Sequence, residues 1–115
     1  MITYDDFKKL KMQVGTVMKI EAVEGADKLL RCEIDFNEVD EEGNKKLRQI
    51  VSGIREFYPE IERLVGKQLL YVTNLEPRTI RGVESNGMLM AVDGVDGTPV
   101  FLIPENPVNP GSSVR

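Results

Sequence analysis

The clearest alternation in the chain runs from Leu30 to Phe36. Leu30, Cys32, Ile34 and Phe36 fall on one face of an extended segment, and Arg31, Glu33 and Asp35 on the other. This predicts a half-buried strand with Cys32 turned into the core, where a small apolar thiol packs and has no basic neighbour on its own face. Upstream, Val14, Val17, Met18, Ile20, Ala22 and Val23 predict a long strand over Gln13 to Val23, with Gly15 available for a bulge or sharp coil and Gly25-Ala26-Asp27 for a turn. Downstream, the acid-rich stretch Asn37 to Lys46, with Gly43-Asn44 at its tip, predicts a hairpin connection to a return strand over Leu47 to Ile54. Asp40, Glu41 and Glu42 in that connection are adjacent carboxylates without convergent partners, which reads as a solvated loop and not as a metal site.

Two short helices are expected. Thr3 is placed as an N-cap, Asp5 and Asp6 favour the first turn, and Ile2 is positioned to staple onto Phe7, giving a helix to about Lys11 with a narrow apolar face. Pro59 at a first position, Ile61, Leu64 and Val65 on one side, and Gly66 just past the end predict the second. Leu69, Leu70, Tyr71 and Val72 form a near-continuous apolar run, as a strand covered on both faces requires, so Lys67 to Asn74 returns to strand. Met88 to Val92 and Val100 to Ile103 read as further strands separated by Asp93-Gly94 and Asp96-Gly97 turns, and Pro104 to Pro110 leads into an irregular tail. The order, three strands, a helix, then two strands, fits an all-β fold: a five-stranded OB-fold barrel with short helices and N- and C-terminal extensions. A Greek-key sandwich fits the strand count, but the lone mid-chain helix favours the barrel.

The 115 residues make one domain by length, 1–115, with residues 1–12 as an N-terminal helix and 94–115 as a C-terminal extension and candidate dimer interface. At 30% charged and 41% hydrophobic the chain is neither disordered nor apolar enough for a membrane protein, so a cytoplasmic location with no membrane partner is expected. With one cysteine and no histidine, disulfides, the common zinc sites and nucleophile–base pairs are unavailable, which argues against an enzyme. No cofactor and no metal is expected. The net charge of -4 argues against a generic polyanion binder. Lys67 to Met88 nevertheless holds three basic residues (Lys67, Arg78, Arg81) against two acidic ones (Glu76, Glu84), so a local surface can be positive on an acidic molecule.

That segment carries the candidate chemistry. Between two apolar runs stands Asn74-Leu75-Glu76-Pro77-Arg78-Thr79-Ile80-Arg81-Gly82-Val83-Glu84-Ser85-Asn86-Gly87-Met88. Pro77, Gly82 and Gly87 predict a loop that cannot be regular sheet, and two guanidinium groups on such a loop suggest recognition. Each residue also has a plainer role open to it. Asn74 can satisfy backbone groups where its strand ends, Ser85 can cap a turn, Met88 can belong to the core, and Arg78 and Arg81 can pair with Glu76 and Glu84, worth about 0–1 kcal/mol at a surface.

Val14-Gly15, Gly25-Ala26-Asp27-Lys28-Leu29, Val51-Ser52-Gly53-Ile54, Leu64-Val65-Gly66-Lys67, Asn74-Leu75-Glu76-Pro77-Arg78, Gly82-Val83-Glu84-Ser85-Asn86-Gly87-Met88 and Pro110-Gly111 together resemble the tRNA-binding domain of the endothelial-monocyte-activating-polypeptide type. That domain occurs at the C-terminus of many methionyl-tRNA synthetases and in small stand-alone proteins. The resemblance, from Phe7 to Arg115, implies an OB-fold that binds tRNA by shape without catalysis, a homodimer, and an association with a methionyl-tRNA synthetase. By position it implies tRNA contacts at Lys28, Asn74, Arg78, Arg81, Ser85 and Met88, with Lys28 on the loop after the first strand facing the same surface. Thr79 and Glu76 stand where the family usually has basic residues, so modest affinity is expected, with each lost phosphate contact lowering the salt slope by about one. With aromatic residues at 6% and no tryptophan, shape recognition through phosphate and 2′-hydroxyl contacts is favoured over base stacking. A branch of the family is associated with secretion and chaperone-like peptide binding, so a protein-binding homodimer of the same fold is the alternative. The beginning at Met1 and the end on the family's usual final residues suggest a stand-alone chain.

Overall fold

In a computed structural model describing residues 1–115, the alternating segment forms an inner strand of the main sheet. β2 (Leu30–Val39) pairs antiparallel with β1 (Met12–Ala22) on one side and β3 (Lys45–Ser52) on the other. β4 (Gln68–Val72) adds to the first half of β1, and β7 (Met88–Leu89) adds to β4, giving the order β3-β2-β1-β4-β7. Leu30, Cys32, Ile34 and Phe36 are all buried, and with Val17, Ile50, Leu69 and Tyr71 they fill the concave side of this curled sheet. Phe36 meets Tyr71 edge to face, with ring centroids 5.4 Å apart. The arrangement is the expected all-β, OB-like one.

Gly15 serves packing and not a bulge. A Cβ there would lie 2.4 Å from Ile34 Cγ2 and 2.6 Å from the Phe36 ring, so the glycine lets two core side chains lie against the β1 backbone. The irregularity in β1 falls later, between Val17 and Lys19, within its pairing to β2 and just past Thr16, the residue that pairs with both β4 and β2.

The helices are shorter than expected. α1 (Tyr4–Lys8) has the predicted Thr3 cap, completed by Asp6 into a reciprocal capping box, but it ends at Lys8 and not near Lys11. Asn74 explains the stop, because its side chain accepts from Lys11 N–H and donates to Lys9 C=O and so turns the chain into β1. The second helix is only a 3₁₀ turn, Ile61–Leu64. Gly66 N–H donates to Val17 C=O and Val17 N–H to Lys67 C=O, which draws the backbone into strand pairing before an α turn can close.

Beyond β7 the expected single strand Met88–Val92 is split at Met90. β8 (Ala91–Asp93) leaves the barrel to pair with β9 (Pro99–Phe101) in a separate hairpin, shorter than the expected Val100–Ile103. Tyr58 anchors that hairpin, donating its hydroxyl to Pro99 C=O at 2.6 Å and stacking on Phe101. The end of the tail is ordered on β1: Gly111 N–H reaches Val14 C=O at 2.7 Å, Val14 N–H reaches Ser112 C=O at 2.9 Å, and Val114 N–H reaches Met12 C=O at 2.9 Å. Gly111, at φ +87°, passes so close to Phe36 that a Cβ would meet its carbonyl oxygen at 2.2 Å.

Candidate nucleic-acid interface

The segment from Asn74 to Met88 is more regular than its proline and glycines suggest. It holds a hairpin, β5 (Arg78–Ile80) against β6 (Val83–Ser85), with Arg78 opposite Ser85, Thr79 opposite Glu84 and Ile80 opposite Val83. The expectation of an irregular loop is therefore corrected. β4 has already ended at Val72, Pro77 lies outside the new strand, and Thr79, Ile80 and Val83 are β-branched residues suited to the hairpin. Arg81 and Gly82 form the two-residue turn, both with positive φ, at 53° and 80°. That pair of angles is the type I′ geometry that suits the right-handed twist of a hairpin, and it normally calls for Asn-Gly or Gly-Gly. An arginine in the left-handed region is strained.

The hairpin is fastened to the free edge of β3. Ser85 is buried and its hydroxyl accepts from Val51 N–H at 2.9 Å while donating to Gly87 C=O at 3.1 Å. Gln49 holds the same edge at two points, donating its side-chain NH₂ to Glu84 C=O at 2.7 Å and accepting Asn86 N–H on its backbone carbonyl at 2.8 Å. The amide oxygen of Gln49 is in turn held by Arg31 at 2.9 Å, and Arg31 itself pairs with Glu21. Gly87 lets the chain pass under Ile50, where a Cβ would lie 2.8 Å from Ile50 Cδ1, and Met88 then opens β7. The gap between β3 and β7 is thus bridged by side chains and single backbone bonds.

Lys28, from the loop between β1 and β2, and Arg81, from the hairpin tip, line one concavity of about 340 Å³ with Gly25, Asp27 and Ile80. Arg78 and Met88 line a second, of about 100 Å³, with Val51, Leu75, Glu76 and Ile80. Ile80 lies between the two. Lys28, Arg78, Arg81 and Met88 are all exposed, and none of the three cations has a carboxylate within 4.0 Å, so the pairing of Arg78 and Arg81 with Glu76 and Glu84 is not formed. Of the six residues expected to make contact, four therefore face outward around the hairpin. Asn74 and Ser85 are occupied with the protein's own backbone.

Sequence reasoning did not single out Gln49, Arg31 or Arg48. Arg48 pairs with Glu38 at 2.7 Å, donates to Thr73 C=O at 2.6 Å and lies over the Phe36 ring, fixing the end of β4 from which the segment departs. Arg31 sits at a polar position of the alternating β2, which gives a face and not a partner, whereas Arg48 and Gln49 are consecutive in β3, on opposite faces of a strand without alternation, so the sequence carried no signal for them.

Elsewhere the titratable groups are tied into the scaffold. Burial pushes the Cys32 thiol up to about 11, against a smaller opposing effect of Arg31, which makes it a poor nucleophile at neutral pH. Asp40 accepts from Glu42 N–H and Asn44 N–H, so this carboxylate of the acidic connection shapes its turn.

A family model described as a putative tRNA binding domain matches residues 12–113. The methionine–tRNA ligase of Methanococcoides burtonii is 43% identical over 116 residues, an alignment that takes in 100% of this chain and 16% of the ligase. The chain thus spans about one sixth of that relative's length. Among solved structures, a MetRS-related protein from Pyrococcus horikoshii superposes with a TM-score of 0.86 at 34% identity, covering 100% of this chain and 98% of the other. The chaperone CsaA from Bacillus anthracis str. Ames superposes at 0.81 and 28% identity, covering 100% and 99%. With a family model spanning β1 to the tail and a relative of this identity over the whole chain, the protein belongs to the putative tRNA binding domain family.

Proposed function

We propose that the chain is a non-catalytic tRNA-binding module that recognises tRNA by shape and assists a methionyl-tRNA synthetase in the cytoplasm. The observation that carries this is that Lys28 and Arg81 line one concavity, beside Asp27, with Arg78 on the same hairpin and none of the three cations in an ion pair within 4.0 Å. Free cations on a rigid surface suit phosphates, while Met88 and Ile80 supply apolar contact between them. Asn74 and Ser85 act in this scheme by holding the segment. Three phosphate contacts give a log–log salt slope of about -2 to -3, and removing one lowers it by about one. Filter binding of tRNA across a salt series tests this: Arg78→Ala should weaken binding and flatten the slope, and no binding at low salt by the unaltered protein would refute the proposal.

The module acts as a homodimer, through α1 and residues 94–115. Support comes from the apolar side chains Val92, Val95, Val100 and Ile103, all exposed on and around the β8–β9 hairpin. The same patch favours the second reading, a chaperone-like or secretion-associated protein-binding homodimer. Sedimentation distinguishes monomer from dimer, and suppression of client aggregation by the unaltered dimer but not by Val95→Asp would favour the second function.

A further inference from the structure

The second concavity sets an acceptor-only side chain beside a donor-only one: Glu76 lines this cleft with Arg78. The two charges stand on either side of Pro77, and no ion pair forms between them within 4.0 Å, so each is left for an outside partner. Val51, Leu75, Ile80 and Met88 provide apolar walls. At about 100 Å³ the cleft is far below the ~300–1,000 Å³ of sites for drug-sized ligands and suits a single flat ring system.

We propose that this cleft reads one unpaired guanine of the bound RNA, with Glu76 and Arg78 as the specificity-determining pair. The inference rests on the RNA-binding function proposed above. A carboxylate offers only acceptors, so in RNA it must be met by N–H or O–H groups, and guanine alone presents two adjacent donors, N1–H and the 2-amino group, that a carboxylate can take together. A guanidinium offers only donors, and guanine presents O6 and N7 as two adjacent acceptors along its other edge. Adenine and cytosine give Glu76 one amino group each, and uracil none beyond N3–H. Ser85 takes no part in the reading, because its hydroxyl is bound to Val51 and Gly87. With no aromatic ring in the cleft, the base is held by edge hydrogen bonds and by the sides of Ile80 and Met88. The neighbouring concavity, with Lys28 and Arg81, then takes backbone phosphate.

The test compares RNA hairpins identical except for one loop nucleotide, guanosine, inosine (which lacks the 2-amino group) or adenosine, titrated against the full chain by fluorescence anisotropy at low salt. The unaltered protein should prefer guanosine by about tenfold, in line with the discrimination of one good bidentate contact. Glu76→Ala should reduce the preference to less than about twofold without weakening the inosine hairpin, since a negative charge is removed from an RNA-binding surface. Arg78→Ala should weaken all three. Equal binding of the three hairpins by the unaltered protein, or an undiminished preference in Glu76→Ala, would overturn guanine reading while leaving RNA binding intact. Failure to bind any hairpin or tRNA would overturn both. Circular dichroism confirms that each variant is folded, and Glu76→Gln, which keeps one acceptor and gains a donor, should retain an intermediate preference.

Discussion

Ser85 Oγ accepts the Val51 backbone N–H at 2.9 Å across 34 residues of sequence, and this buried bond closes the barrel where no strand ladder does. Ser85→Ala leaves the Val51 N–H without a partner in the interior, at a cost of about 1–3 kcal/mol. Chemical denaturation should show that loss, with RNA affinity falling as the hairpin loosens. Ser85→Thr, which keeps the oxygen, should recover part of both.

Asn74 joins the site to the N-terminal helix, through Lys11 N–H at 2.8 Å and Lys9 C=O at 2.6 Å. Asn74→Ala should therefore release α1, read as faster amide exchange over Tyr4–Lys11, and lower stability by about 1–2 kcal/mol for two lost bonds. In the proposed scheme its effect on RNA affinity is smaller than that of Arg78→Ala, and a larger one would place Asn74 in direct contact.

Arg81 holds a strained φ of 53° at the turn of the hairpin. Arg81→Asn should relieve that strain and raise stability by about 0.5–1 kcal/mol, because Asn-Gly is the preferred pair for a type I′ turn. The same change removes a cation and should weaken tRNA binding several-fold. Opposite movements of melting temperature and affinity in this one variant are the expected result.

Asp35 is buried on β2, where desolvation alone would raise its pKa. The Lys45 ammonium at 2.9 Å and the Asn37 N–H at 2.8 Å outweigh that and hold it below its ordinary 3.8. A folded value lower than the unfolded one contributes stability that is present above about pH 4 and is lost as pH falls through the folded value. Asp35→Asn should thus be less stable than the unaltered chain at neutral pH, and the difference should shrink steadily in acid. Unfolding curves between pH 7 and pH 2 check the trend.

Much of the scaffold was legible because it rests on local regularities. The alternation in Leu30–Phe36 announces a strand and its inward face, Thr3 and the aspartates announce a helix cap, and Gly66 marks the end of a turn, at φ +88°. These features depend on neighbours in sequence, and so does the turn chemistry of Gly43. Element lengths were less legible. α1 and the 3₁₀ turn at Ile61–Leu64 are cut short by Asn74 and Val17, which lie far away in the chain. The hairpin at Arg78–Ser85 was hidden because each strand has only three residues, too few for a period to show.

By itself the sequence determined which residues are charged, apolar or conformationally special, and hence the strands, their inward faces and the segment that carries Arg78 and Arg81. Tertiary structure decided which of those residues meet. Lys28 shares a concavity with Arg81, Glu76 shares a cleft with Arg78, and Ser85 turns inward to Val51 only because barrel closure brings β3, the first interstrand loop and the hairpin to one edge. The physical reason is that a side chain's face follows from its own strand, whereas its partner follows from the register of strands that lie tens of residues apart.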